Sequence, residues 1–141
     1  MSGFLQILCH LWGDYILQND WMALNKQKNT VKGYLALISH AVFYSAPFAV
    51  VAGLGLSPHF NIWGFLWIVV THAIIDKFPL GMWVTRLKNW NWGNAGKVEG
   101  MIFGRPPYLI VWLMILIDNT IHLTLNAIGL WLTWKLAGGG L

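Results

Sequence analysis

The sequence predicts an all-α fold: a polytopic membrane bundle of four helices, with an interfacial segment between helices three and four. Three observations predict it. Of 141 residues, 57% are hydrophobic and only 10% charged, against about 25% charged in soluble globular domains. Ten Trp and four Tyr are the aromatic load of a chain that meets both bilayer interfaces several times. Finally, four stretches approach the roughly 20 apolar residues that a spanning helix needs.

These stretches run over about 3–24, 31–55, 61–78 and 107–136, within a single transmembrane domain covering 1–141. The first opens on Met1-Ser2-Gly3-Phe4 without a basic residue, and His10 and Asp14 interrupt its apolar run. It is therefore expected to remain in the protein rather than be cleaved as a signal peptide. Gly53, Gly55, Ser57 and Pro58 form a turn signal short enough to make helices two and three antiparallel neighbours. Pro106 and Pro107 suit the first turn of helix four, where a missing amide costs nothing. Segment 79–104 is too polar to span. Its Trp83, Trp90 and Trp92 alternate with Arg86, Lys88 and Lys97, the pattern of a stretch anchored in the interface.

Nine Lys and Arg against five acids give a formal charge of +4, and the basic residues gather in two loops. One holds Lys26, Lys28 and Lys32, the other Lys77, Arg86, Lys88, Lys97 and Arg105, with Lys135 alone on the opposite side. By the positive-inside rule both loops are cytoplasmic and both termini face outward. Membrane lipids are the expected partners, anionic headgroups among them. Nucleic acid is not, because no basic face is assembled. Cys9 is the single cysteine, which excludes an internal disulfide and a Cys-based metal site.

Four of the five acids are Asp, and three of those lie four residues from a histidine: His10 with Asp14, His72 with Asp76, and Asp118 with His122. That spacing puts each pair on one helix face. The polar stripe of helix one extends over Gln6, His10, Asp14 and Gln18, and that of helix four over Asp118, His122 and Asn126. Helices one and three read His then Asp, whereas helix four, running back outward, reads Asp then His. Every Asp is thus expected on the cytoplasmic side of its His. The three carboxylates share a layer if helix three continues beyond Pro79, and His40, with Tyr44 one turn further, completes it.

An Asp at mid-bilayer costs roughly 2.5–3.5 kcal/mol on the insertion scale, so three require compensation by pairing, protonation or a bound cation. Imidazole and carboxylate are ligands for zinc and manganese. The expected ligand set is His10, Asp14, His40, His72, Asp76, Asp118 and His122, enough for one or two divalent ions, with Gln18 and Asn126 orienting ligands or a metal-bound water. The alternatives are a non-enzymatic proton or ion conduit, and a structural network in which each Asp orients its own His and the pairs hold helices, or a homo-oligomer, together.

The run His10-Leu-Trp-Gly-Asp14-Tyr-Ile-Leu-Gln18, followed by Trp21 and Lys26, resembles the opening motif of the DUF3307-type family of small bacterial and phage membrane proteins of unknown function. Ser39-His40, Thr71-His72-Ala-Ile-Ile-Asp76 and Asp118-Asn119-Thr-Ile-His122 resemble its later motifs in order. Asn119 departs from the Gln expected there, keeping an amide of shorter reach. The resemblance implies the bacterial inner membrane and groups these residues without naming a reaction. In its use of His and Asp on membrane helices the chain is more loosely similar to inner-membrane metal-dependent hydrolases. The activity expected is metal-dependent hydrolysis of a lipid-linked or envelope ester or phosphoester, in which a metal ion lowers the pKa of water and stabilises developing charge. A Ser or Cys nucleophile beside a base is not evident.

Overall fold

The computed structural model describes residues 1–57, 59–78, 80–88 and 107–137. Every regular element among them is helical: α1 (Gly3–Leu11), a π turn (Trp12–Ile16), α2 (Asp20–Asn25), α3 (Val31–Gly53), α4 (Ile62–Lys77), α5 (Leu80–Lys88) and α6 (Pro107–Leu136).

Short polar residues start the helices. The side chains of Ser2, Asn19, Thr30 and Asn61 accept from Leu5, Met22, Gly33 and Trp63 backbone N–H groups at 3.3, 3.0, 3.1 and 3.1 Å, satisfying amides that lack an intrahelical partner. α3 runs through Pro47 and closes on a Schellman motif. There Gly55 N–H donates to Ala52 O at 2.9 Å and Leu56 N–H to Val51 O at 3.1 Å. Gly55 takes φ +75°, a value that favours a residue without Cβ.

The segment expected as one helix over 3–24 is three pieces. α1 passes into the π turn, where Leu17 N–H donates to Trp12 O at 2.9 Å, and the helix then stops until Asn19 caps α2. α4 also ends earlier than a shared layer of three carboxylates assumed. Phe78 is extended at φ −106°, ψ 131°, because Pro79 disfavours a helical predecessor. Of the segment expected at the interface, α5 carries Trp83 and Lys88. Pro58, Pro79, Trp90, Trp92, Lys97, Glu99, Arg105 and Pro106 lie outside the described residues.

Among the described residues two helices, Val31–Gly53 and Tyr108–Leu136, are long and apolar enough to cross a membrane, with mean hydropathy 1.8 and 1.6. α4, at 16 residues, rises about 24 Å, short of a hydrocarbon core of about 30 Å.

The chain divides into two compact units, Met1–Phe78 with His122–Leu141, and Pro79–Ile121. In the first, α3 packs on α4, α1, α2 and the π turn. Contact between the π turn and α3 depends on Gly13, where an added Cβ would lie 2.6 Å from Tyr44 Cδ2 and 2.9 Å from Tyr44 Cα. The C-terminal part of α6 is joined to α4 by Trp67, whose Nε1–H donates to Leu125 O at 2.9 Å. In the second unit α5 lies against α6, with a Cβ at Gly81 falling 3.3 Å from Asp118 Cβ.

Polar and apolar side chains are buried together, with Ala36, Phe48 and Ile68 among the apolar ones. His10, His40, His72, His122, Asn126 and Tyr44 are fully buried, while Phe4, Leu24, Val31, Leu35, Val50, Trp63 and Trp112 are exposed.

Candidate metal centre

All side chains of the polar core described next belong to the first unit. On α4, one helical turn carries His72 around to Asp76, and its Nε2 stands 3.1 Å from Asp76 Oδ2. His40, from α3, brings its Nε2 to 2.9 Å from His72 Nε2 and 3.1 Å from the same Asp76 oxygen. Three atoms able to ligate a cation thus form a nearly equilateral triangle. The triangle is buried, with Asp76 only 7% exposed.

Its edges match a metal shell. Ligands held about 2.0–2.1 Å from a tetrahedral ion are separated by about 3.3 Å, and catalytic zinc sites use three protein ligands with one open position. His40, His72 and Asp76 supply that number. His40 Nδ1 is buried without a hydrogen-bond partner among the described residues, so the proton of the neutral ring is free to sit there, with the Nε2 lone pair left for a cation.

Asp14 approaches the same two rings from the π turn. Its Oδ1 lies 3.4 Å from His40 Nε2 and 3.5 Å from His72 Nε2, while its Oδ2 lies 3.3 Å from His10 Nδ1, one turn back. Short π segments in α-helical stretches are frequent at functional sites, and this one carries a carboxylate. His122 closes the far side of His72, Nδ1 to Nδ1 at 3.1 Å. Asp14, His72 and His122 form a second group whose ligand atoms lie within 4.8 Å of one another.

Tyr44 organises the rings. Stacked on His72 at 3.6 Å and 14°, it carries its hydroxyl to 2.9 Å from His10 Nδ1, and Asn126 Nδ2 donates to that oxygen at 2.6 Å. A protonated His10 Nδ1 donates to Asp14, whereas an unprotonated one accepts from Tyr44, so a single proton selects between these two contacts.

Lys26 was not among the residues expected here. Its Nζ donates to Asp76 Oδ2 at 2.9 Å and to Gln18 Oε1 at 2.8 Å, and the residue is 15% exposed. Residues after α2 are tied to the end of α4 by Lys77, whose Nζ donates to Lys28 O at 3.1 Å and lies 4.3 Å above the Tyr34 ring. Spacing could not reveal Lys26, since its carboxylate lies 50 residues further on. The available signals were the place of Lys26 in the motif that opens at His10, and Asn19-Asp20 ahead of Trp21-Met22, an N-cap that breaks the first helix.

Among the expected residues, Asp14, His40, His72, Asp76 and His122 meet in these two groups. His10 contacts Asp14 and Tyr44, Asn126 serves the tyrosine hydroxyl, and Gln18 serves Lys26. Asp118 belongs to the second unit, beside Gly81.

A family model described as a protein of unknown function (DUF3307) matches residues 3–133. No curated protein and no solved structure matches the chain.

Proposed function

The chain belongs to the DUF3307 family, whose description assigns no activity, and from that premise we propose that it is a multi-pass inner-membrane protein with a divalent-metal centre that hydrolyses a lipid-linked or envelope ester or phosphoester. The observation that carries this reading is the triangle of His40 Nε2, His72 Nε2 and Asp76 Oδ2, with edges of 2.9, 3.1 and 3.1 Å.

The chemistry of the donors fits zinc or manganese. His40, His72 and Asp76 would hold the ion, with Asp14 and His122 around it. His10 orients Asp14 through the 3.3 Å contact, as partners of ligating groups do. An ion held there would supply a nucleophile at neutral pH and offset charge developing on a substrate oxygen. The exposed apolar side chains and the buried histidines support a lipid setting, with the basic loops cytoplasmic by the positive-inside rule.

The test is metal content. Protein purified in detergent without chelators is expected to hold about one zinc or manganese per chain, measured by mass spectrometry of the element. Asp76→Asn is expected to hold none. A wild-type protein that stays empty after incubation with both ions overturns the reading.

A second reading draws on one observation. Tyr44, His10 and Asp14 form a line of contacts of 2.9 and 3.3 Å that meet at His10 Nδ1, where a proton can pass between the tyrosine oxygen and the carboxylate, and Asn126 Nδ2 donates to that tyrosine oxygen at 2.6 Å. Such a line suits a proton relay. Proton uptake by vesicles containing the protein, abolished in Tyr44→Phe while metal binding persists, would favour the relay over the hydrolase.

A further inference from the structure

Among the described residues Lys26 is the one Lys or Arg whose side chain pairs with a carboxylate of the cluster, and the metal site alone does not account for it. Its ammonium and the two ring nitrogens share a single atom, Asp76 Oδ2, at 2.9, 3.1 and 3.1 Å. An ion that takes this oxygen as a ligand competes directly with Nζ. The amine does not then leave the site, because Gln18 Oε1 holds it at 2.8 Å and its four-carbon stem allows the head to swing.

Charge decides what such a released amine meets. Asp14 and Asp76 carry two negative charges against one on Lys26, and a divalent ion converts that deficit into a surplus of one positive charge. In surroundings of low dielectric an uncompensated charge is costly, so a negatively charged ligand is favoured over a neutral one. A carboxylic ester brings no charge. A phosphoester does, with oxygens that suit an ammonium beside a metal ion.

We propose that Lys26 binds a phosphate oxygen of the substrate after the metal ion displaces it from Asp76, which makes the substrate a phosphoester. This inference rests on the metal reading above.

Manganese-loaded protein in detergent tests it, with inorganic phosphate as the probe and broadening of its phosphorus resonance by the paramagnetic ion as the signal. Wild type is expected to bind both. Lys26→Gln is expected to keep stoichiometric manganese, which also shows that its site is folded, and to bind phosphate about tenfold more weakly, equivalent to about 1.4 kcal/mol. Lys26→Arg is expected to retain phosphate affinity. Equal phosphate affinity in wild type and Lys26→Gln, both holding manganese, overturns the inference while leaving the metal reading intact, and so does loss of manganese from Lys26→Gln alone. Failure of wild type to take up manganese or zinc removes both. The source of the phosphate is read by competition. Phosphatidic acid in micelles competing at tenfold lower concentration than glycerol phosphate supports a phosphorylated lipid headgroup, and equal competition supports a soluble phosphoester.

Discussion

Tyr44 lies flat against His72, with ring centroids 3.6 Å apart and planes inclined by 14°, and the hydroxyl of the same tyrosine bonds to both His10 and Asn126. One residue thereby fixes the ring plane of His72 and supplies a partner to His10. Tyr44→Phe keeps the stack and removes the hydroxyl. Two buried polar groups lose a partner, and the expected loss of stability is about 1–3 kcal/mol, read as a lower melting temperature in detergent with helix content unchanged. Tyr44→Leu, which also removes the stack, is expected to lose more.

Gly13 tests the approach of the π turn to α3. A methyl group there would meet Tyr44 side-chain and backbone atoms at 2.6–2.9 Å, and backbone cannot yield as a flexible side chain does. Gly13→Ala is expected to cost about 1–3 kcal/mol and to weaken metal binding, because Asp14 is the next residue. Gly3→Ala, with nothing within 4 Å of the added carbon, is the control and should be neutral or slightly stabilising.

His10 touches Asp14 without belonging to the ligand triangle. His10→Phe is therefore expected to lower metal affinity about 10–100-fold, the range found for groups that orient ligands, whereas His72→Phe should abolish stoichiometric binding. Titration against a chromophoric chelator distinguishes the two. Equal loss in both variants would give His10 a ligand's part.

The pair formed by Lys26 and Asp76 should depend on metal. In chelator, Lys26→Met leaves a carboxylate that is 7% exposed without its ammonium, and a loss of about 3 kcal/mol is expected. Added zinc neutralises the same oxygen, so its stabilising effect should be larger in the variant than in wild type. Melting curves of both proteins with chelator and with zinc give the comparison.

Much of this core could be read from spacing. His72 and Asp76 are four residues apart on a straight helix, and their side chains meet at 3.1 Å. His10 and Asp14 also meet, at 3.3 Å, although a π turn intervenes. Local periodicity carries such contacts because one backbone geometry fixes them. The break after Ile16 was not legible in the same way. Gln18 continues the stripe of Gln6, His10 and Asp14, so helical periodicity extends on paper across residues that are not helical. Lys26 escaped because rules for loop charges count lysines by position along the chain, while a lysine side chain is long enough to bring its head to a distant partner.

The interruption between Ile16 and Asp20 bears on assembly. The ammonium that follows α2 finds its carboxylate on a helix synthesised about 50 residues afterwards, and an unpaired charge is unfavourable within hydrocarbon. Until α4 arrives, Lys26 belongs at the aqueous edge. In the proposed membrane setting the beginning of the chain reaches its final arrangement only after α4 has been made, and a ribosome-bound intermediate ending before Asp76 should leave that amine open to water-soluble acylating reagents.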